Sequence, residues 1–239
     1  MTAVEDFPDA EFATEDGLLA LGGDLSTERL LKAYRCGIFP WYSPGEPILW
    51  WSPDPRCVLY PHQFRPSRSL KKSIRKNRFK FTFDQDFESV IEYCAALRIR
   101  KTETWITEEM KAAYIRLHQL GYAHSTEVWK NGQLAGGLYG IAMGSMYFGE
   151  SMFSMVPDAS KAALYCLSSS LCAWQYHLID CQVTSPHLLS LGATEIPRRE
   201  FLGNLELALS QPDKTGTWSP LDPETMFTPQ PGYRDHSAA

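Results

Sequence analysis

The chain has 239 residues, of which 44% are hydrophobic and 13% aromatic, so a sizeable core can form and a wholly disordered protein is excluded. Its formal net charge of −5 gives no global reason to expect a nucleic-acid partner, so any RNA binding needs a local basic patch. The six cysteines form no CxxC pair and no Cys/His ligand spacing, which favours free thiols in the cytoplasm. No apolar run reaches transmembrane length, and the acidic N-terminus lacks a hydrophobic signal core. We therefore expect a soluble cytoplasmic protein without membrane contact.

The N-terminal part of the chain predicts one helix followed by a rigid connection. Residues 24–36 have the pattern of a short helix, with Ser26 as its N-cap and Gly37 as its stop. Residues 37–61 are dense in proline and tryptophan and repeat a Trp-aromatic-Ser-Pro phrase, which excludes a regular helix. We predict a rigid, aromatic-walled connection here, at the end of a small N-terminal domain over residues 1–61.

The central part of the chain alternates between helical and strand patterns. Helices are predicted over residues 65–76, 87–97, 107–121 and 158–176 and from His187 to Leu191, and strands over residues 78–84, on both sides of an Asn131-Gly132 turn, and over residues 178–183. This order predicts an α+β domain over residues 62–210, in which an antiparallel hairpin lies beside a helix-covered sheet. Residues 211–239 are rich in proline and are predicted to form an extended, partly mobile tail.

A basic segment over residues 65–80 contains no acidic residue. A solvated helix is the ordinary interpretation of such a segment, but this one stands against an acidic background. Cations at helical spacing concentrate enough charge to bind a phosphate backbone, and such contacts position RNA without recognising its sequence. The cations at this spacing are Arg68, Lys71, Lys72, Arg75 and Lys76.

The run LIDCQV, residues 178–183, predicts a buried strand that carries two polar side chains. Residues two apart in a strand point to one face, so Asp180 and Gln182 lie side by side where apolar groups are expected. Glu150 follows another apolar, aromatic run in FGESMF. Each could be an ordinary buried polar group with its hydrogen bonds satisfied, but several near strand ends favour a site. The tryptophans of the proline-rich connection similarly favour a pocket for a hydrophobic side chain.

Several enzyme classes lack their sequence signatures. There is no GxSxG elbow, no Walker loop and no HExxH motif, and nothing in the sequence requires a metal or a cofactor. An acetyltransferase that uses acetyl-coenzyme A needs a glycine-containing pyrophosphate loop, which VPDASK (residues 156–161) matches poorly. That acetyltransferase and a non-catalytic RNA-binding module are the alternatives that the residues leave open.

Long and unusual phrases carry a resemblance to one family. They are GLLALGGDLS (17–26), LLKAYRCGIFPWYSPGEPILWWSPDPR (30–56), TWIT (104–107), LHQLGYAHSTEVW (117–129), FGESMFS (148–154), ASKAAL (159–164), and LIDCQV with HLLSLGATEIPRREF (178–201). Over residues 17–205 the chain resembles the bacterial leucyl/phenylalanyl-tRNA–protein transferases. The resemblance implies a small N-terminal domain and a C-terminal domain with a mixed sheet like that of the N-acetyltransferases.

The resemblance also implies a reaction and its residues. Leu or Phe, and less readily Met, would move from aminoacyl-tRNA to the N-terminal Arg or Lys of a protein, which marks that protein for degradation. The transferred side chain would occupy a pocket formed by Tyr34, Trp41, Trp105, Tyr114, Leu138, Tyr147 and Leu167, although phenylalanine is expected in relatives at positions 147 and 167. The cations of the basic segment would bind the tRNA acceptor end, and we expect the protein to act as a monomer.

The polar residues match the site residues of the same family. An aminoacyl ester is already activated, so amide formation needs only a held ester carbonyl and a deprotonated amine. We expect Asp180, directly or through Gln182, to orient that amine and to accept or relay its proton. Glu150 and Asp180 would together complement the positive charge of the acceptor.

Overall fold

The computed structural model describes residues 6–77, 79–99 and 105–219. The N-terminal part contains strands β1 (Leu18–Leu21), β2 (Phe39–Pro40) and β3 (Leu49–Trp51), which pair antiparallel in the order β1-β3-β2, and helix α1 (Thr27–Arg35). The Ser26 hydroxyl caps α1 by accepting a hydrogen bond from the Arg29 amide, and Gly37 follows the helix with a φ of 72°. The predicted cap and stop are confirmed, because each satisfies a backbone requirement of a helix end.

The larger sheet has seven strands in the order β10-β4-β9-β8-β7-β6-β5. These strands are β4 (Arg56–Leu59), β5 (Lys80–Phe83), β6 (Ala123–Lys130), β7 (Gln133–Met143), β8 (Met146–Ser154), β9 (Leu178–Gln182) and β10 (Thr194–Ile196). Neighbouring strands run antiparallel except β8 and β9, which are parallel. The α+β class and the mixed sheet are confirmed.

Helices cover both faces of this sheet. They are α2 (Arg68–Asn77), α3 (Phe87–Ile99), α4 (Glu108–Gln119), α5 (Ala159–Ala173), α6 (Pro186–Ser190) and α7 (Arg198–Leu209). One apolar cluster joins α1, α3, α4 and α7 to the sheet, and a second cluster joins α2 and α5 to its other face. Because neighbouring residues of a strand point to opposite faces, the strands β4, β6, β7, β8 and β9 each contribute to both clusters.

The predicted hairpin is confirmed and extended. Asn131 and Gly132 have φ values of 53° and 76°, so they form the left-handed turn that matches the twist of the flanking strands β6 and β7. A second turn at Gly144 then leads into β8, so the hairpin becomes a three-stranded meander.

The proline-rich connection contains more structure than predicted. Residues 37–61 are not helical, as expected, but they hold β2, β3 and β4. Their partners lie far along the chain, and β4 pairs with β9 and β10, so local patterning could not identify them. Strands β1 and β10 and helix α7 were likewise not predicted. The boundary after residue 61 stays a prediction, although β4 precedes it and belongs to the larger sheet.

The first part of the predicted tail is anchored to the domain. Asp213 accepts a hydrogen bond from the Gly144 amide at 2.7 Å and pairs with Arg35 at 3.2 Å. Trp218 is buried, and its indole stacks on His124 with ring centroids 3.8 Å apart. Residues 211–219 therefore form a strap against the domain, whereas residues 220–239 of the predicted tail lie outside the described residues.

None of the described helices combines the length and the apolar character that crossing a membrane requires. In the same described part of the chain, no group of three or more His, Cys, Asp or Glu side chains is placed to hold a metal ion.

Candidate active site

The parallel strands β8 and β9 separate part-way along their length. Their pairing ends at Phe148 and Asp180, although β8 continues to Ser154 and β9 to Gln182. A cavity of about 330 Å³ lies at this separation. Its apolar wall includes Phe39, Pro40, Trp41, Trp105, Leu138, Tyr147, Leu164, Leu167 and Ile179. A cavity of this size and composition suits a branched aliphatic or aromatic side chain.

Glu150 is the buried carboxyl group in the wall of this cavity. Its Oε1 atom accepts hydrogen bonds from the Tyr34 hydroxyl at 2.7 Å and from the Gln182 side-chain amide at 2.8 Å. Its Oε2 atom accepts a hydrogen bond from the Tyr114 hydroxyl at 2.9 Å. Three donors from α1, α4 and β9 therefore fix one carboxyl group on β8, and the Gln182 contact bridges the separated strands.

The environment of Glu150 controls its protonation. Burial raises the pKa of Glu150 to about 7, because the lost hydration outweighs the hydrogen bonds from Tyr34 and Tyr114, and the nearby Asp180 charge raises it further. Burial and the Glu150 charge raise the pKa of both tyrosines well above its ordinary value, so both remain neutral donors. Glu150 can therefore gain or lose a proton near neutral pH.

Asp180 is completely buried and lies outside the cavity wall. Arg56 binds it through both carboxylate oxygens, with Nε to Oδ1 at 2.8 Å and Nη2 to Oδ2 at 2.6 Å. Oδ1 also accepts a hydrogen bond from the Gln182 backbone amide at 2.8 Å. Direct contact between Asp180 and an incoming amine would therefore require this arrangement to open, and the described geometry instead connects Asp180 to the backbone of Gln182.

Arg56 is a site residue that sequence reasoning missed. Its guanidinium lies between the rings of Phe39 and Phe201, at 4.8 and 4.4 Å from their centroids. The sequence did contain one indication that such a residue exists. A carboxylate that is buried away from water, as predicted for Asp180, requires a cation or several hydrogen-bond donors. Nothing in the local sequence distinguished Arg56 from other arginines as that cation.

Gln182 ends β9 in an unusual backbone conformation, with a φ of 63°. This conformation turns the side chain toward the cavity, where its Nε2 atom donates to Glu150. The carbonyl oxygen is consequently the end of the amide that can accept a hydrogen bond from a ligand.

The predicted pocket residues divide into two groups. Trp41, Trp105, Leu138, Tyr147 and Leu167 line the cavity. Tyr34 and Tyr114 do not line it: both are completely buried, and their hydroxyls contact Glu150 and lie 2.5 Å from each other. The contact of these two tyrosines with the transferred side chain stays a prediction, and in the structure their hydroxyls hold the Glu150 carboxyl group.

His187, whose role the sequence leaves open, lines the same cavity, and so do Cys181 and Thr184, which sequence reasoning did not place. Burial and the nearby Lys161 charge lower the pKa of His187, so its imidazole is neutral at neutral pH. A neutral imidazole can accept or donate a hydrogen bond to a ligand in the cavity.

The basic face of α2 lies apart from the cavity residues. Leu70 and Ile74 anchor the helix in the core, and the Ser67 hydroxyl caps its first turn by accepting from the Leu70 amide at 3.0 Å. The five predicted cations are all exposed and border one open depression: Arg68, Lys71, Lys72, Arg75 and Lys76. The structure therefore brings them together, as their helical spacing predicted.

Comparisons with known proteins place the chain in one family. Residues 58–206 match the family profile described as leucyl/phenylalanyl-tRNA protein transferase, and residues 23–54 match the profile of its N-terminal domain. Proteins named leucyl/phenylalanyl-tRNA–protein transferase are similar over most of their length. The relative from Legionella pneumophila (strain Corby) is 53% identical over 89% of this chain and 96% of its own length. The relatives from Magnetococcus marinus and Syntrophus aciditrophicus are 54% and 56% identical, over 91% and 92% of this chain and 94% and 92% of their own lengths.

The raised pKa of Glu150 predicts a pH-dependent stability. The folded protein binds the proton of the Glu150 carboxyl group more tightly than the unfolded chain does. The stabilisation that this proton provides is therefore complete below about pH 4.5 and is lost as the pH rises through about 7. Glu150→Gln should remove this loss, so the difference in unfolding free energy between variant and wild type should increase from pH 5 to pH 8. Urea unfolding, monitored by tryptophan fluorescence at each pH, measures this difference. Glu206→Gln, at an exposed position, is the control, and its unfolding free energy should differ from that of the wild type by a constant amount over the same pH range.

The Arg56–Asp180 pair predicts a stability effect of another kind. Arg56→Met leaves a buried carboxylate without its cation and should lower the unfolding free energy by about 3–5 kcal/mol. The double variant Arg56→Met/Asp180→Leu removes both charges and should recover most of this loss. Urea unfolding of the wild type and both variants tests the pair, and a single-variant loss below about 1 kcal/mol would contradict this account.

Proposed function

The chain belongs to the leucyl/phenylalanyl-tRNA protein transferase family, and we propose that its cavity and the Glu150–Gln182 bridge catalyse aminoacyl transfer to protein N-termini. It is an aminoacyltransferase with Leu-tRNA and Phe-tRNA as donors. The finer part of the proposal is that Met is transferred less readily, that the acceptor begins with Arg or Lys, and that the product is marked for degradation. The proposal also includes that the protein acts as a monomer and that it acts in the cytoplasm. The six free cysteines support that compartment.

The observation that carries this proposal is the hydrogen bond between Gln182 and the buried Glu150 in the wall of a mainly apolar cavity. The cavity accepts the transferred side chain, and Gln182 and Glu150 lie on the two strands that separate around it. The ester carbonyl of the aminoacyl-tRNA would therefore lie near a carbonyl oxygen and a carboxyl group, where an amine can be bound. Aminolysis of an activated ester requires this juxtaposition rather than a protein nucleophile.

The reaction exchanges one acyl bond for another. The α-amino nitrogen of the acceptor attacks the ester carbon, the C–N bond forms, and the bond to the ribose oxygen breaks. An α-amino group has a pKa of about 8, so it must lose a proton before attack at neutral pH. The Gln182 carbonyl oxygen orients the amine by accepting its hydrogen bond, and Glu150, with a pKa of about 7, takes up the proton. The departing ribose oxygen gains a proton as the ester bond breaks.

Asp180 has a positioning role in this mechanism. Its charge is neutralised by Arg56, and it holds the Gln182 backbone at 2.8 Å. The negative field that complements an acceptor Arg or Lys therefore comes from Glu150, whose ionised form a nearby cation would favour. Binding of the acceptor and ionisation of Glu150 should consequently be coupled.

The tRNA would contact the exposed face of α2. Its five cations lie on an acidic protein and provide the local positive charge that phosphate binding requires. Phosphate contacts fix position without recognising bases, which suits an enzyme that accepts more than one tRNA.

A transfer assay with two labelled donors tests the proposed function. Labelled Leu-tRNA and labelled acetyl-coenzyme A are each offered with a peptide that begins with Arg. Transfer from Leu-tRNA is expected; transfer only from acetyl-coenzyme A would indicate an acetyltransferase, and tRNA binding without transfer would indicate an RNA-binding module.

The variant Gln182→Leu tests the role of the Gln182 carbonyl oxygen. It should lower kcat about 100-fold while changing the KM for Leu-tRNA less, because it removes the oxygen that binds the amine but not the tRNA contacts. Equal effects on both constants would contradict the role of Gln182.

Neutralising the α2 cations should affect the tRNA substrate alone. The double variant Lys72→Gln/Arg75→Gln should raise the KM for Leu-tRNA and make it less dependent on salt, because fewer counterions are released on binding. The KM for the acceptor peptide should stay unchanged. Arg116→Gln, which removes an exposed cation from α4, is the matched control. A salt series in which the double variant and the control behave alike would exclude α2 as the tRNA surface.

A further inference from the structure

Two cysteines face each other across the strands that form the active site. In the antiparallel pair of β4 and β9, Val58 lies opposite Asp180, but the next residue, Cys57, lies opposite Gln182. One residue of β4 therefore opposes two residues of β9, and Cys181 is the extra residue of a β-bulge. The bulge places Cys57 beside both Cys181 and Gln182.

Both thiols lie on the same face of the sheet. Cys57 is completely buried in the cluster that includes Leu59 and Ile179, and Cys181 packs against that cluster. Cys181 also lines the cavity, so a small solute in the cavity reaches it. Arg56, the residue before Cys57, lies on the opposite face with Asp180, as strand alternation requires.

The surroundings of the two thiols favour reaction at this pair. Cys57 lies opposite the bulge that contains Cys181, and both side chains pack in the same apolar cluster. The neighbouring Cys181 thiol lowers the pKa of Cys57, whereas the same pairing and burial raise the pKa of Cys181 well above its ordinary value. A thiol with a lowered pKa forms the reactive thiolate more readily. Neighbouring antiparallel strands also bring paired residues within the Cα separation that a disulfide spans.

We propose that Cys57 and Cys181 form an oxidation site, at which a peroxide joins the two thiols in a reversible disulfide that displaces Gln182 and slows aminoacyl transfer. One thiol, as its thiolate, breaks the O–O bond of hydrogen peroxide and becomes a sulfenic acid, and the released hydroxide takes up the proton as water. The second thiol attacks that sulfur, the S–O bond breaks, and a second water leaves. The two cysteines lose two electrons and two protons, and the peroxide is reduced to two waters.

The disulfide acts on the site through the bulge. A bond of about 2.05 Å between the sulfurs is much shorter than a thiol–thiol contact, so Cys181 must move toward β4. Gln182 follows Cys181 directly, and its side chain must stay within hydrogen-bond distance of Glu150 to bridge the separated strands. Oxidation should therefore lower kcat by about tenfold or more and leave tRNA binding at α2 unchanged. This effect on transfer rests on the proposed function, whereas formation of the disulfide does not.

The first test measures the bond in the wild-type chain. The full-length protein is treated with hydrogen peroxide, the remaining thiols are blocked, and the digest is analysed by mass spectrometry. A peptide linked through Cys57 and Cys181, absent after dithiothreitol, is the expected product. Oxidation of the exposed Cys36 without any Cys57–Cys181 link would overturn the proposal, whatever reaction the enzyme catalyses.

The second test connects the bond to activity. Transfer from Leu-tRNA should fall as the link forms and recover with dithiothreitol. Cys57→Ser should keep its basal activity and resist peroxide, whereas the matched variant Cys36→Ser should remain as sensitive as the wild type. If Cys57→Ser does not fold, Cys57→Ala serves the same purpose. A complete Cys57–Cys181 link with undiminished transfer would show that the disulfide is not a switch.

Discussion

The arrangement of the candidate active site depends on a carboxylate that has no access to water. Asp180 is fully buried on a central strand, where two hydrogen bonds from Arg56 and one from the Gln182 backbone amide stabilise its charge. The Arg56–Asp180 ion pair connects the neighbouring strands β4 and β9. Asp180 also accepts a hydrogen bond from the backbone amide of Gln182 and so holds that residue in place. The β-bulge at Cys181 and the left-handed conformation of Gln182 directly follow Asp180 in the chain. The polar group that faces the cavity is thus positioned by an ion pair on the other side of the sheet.

The site contains a second buried carboxyl group, and the cost of its burial is offset in a different way. Among the described residues no cation contacts Glu150, and its three neutral donors reduce but do not cancel the effect of burial on its pKa. Asp180 therefore suits a fixed structural charge, and Glu150 suits a group that changes its protonation during a reaction. Two carboxyl groups on neighbouring strands acquire separate roles from their surroundings, as in enzymes where one acid stays ionised and the other exchanges protons.

How much the sequence predicts depends on the range of the interactions. Ser26, Gly37 and the Asn131-Gly132 turn satisfy requirements of the nearby backbone, so local patterning identified them. The polar residues Asp180 and Gln182 were recognised because they interrupt an apolar strand. Their partners could not be recognised, since Arg56 lies 124 residues from Asp180 and Tyr34 lies 116 residues from Glu150. For the same reason β4 and β10 were missed, and the contacts of Tyr34 and Tyr114 with Glu150 were not predicted.

The position of Tyr34 has a consequence for the architecture as a whole. Helix α1 belongs to the N-terminal part of the chain, yet its Tyr34 hydroxyl donates to a carboxyl group on β8 and lies 2.5 Å from the Tyr114 hydroxyl on α4. Phe39, from the same part, contributes to the cavity wall and packs on Arg56. The N-terminal part thus supplies a donor to Glu150 and a neighbour to the buried ion pair. The larger sheet alone would leave Glu150 with one donor fewer and the Arg56 guanidinium without one of its aromatic neighbours, so the site requires both parts of the chain.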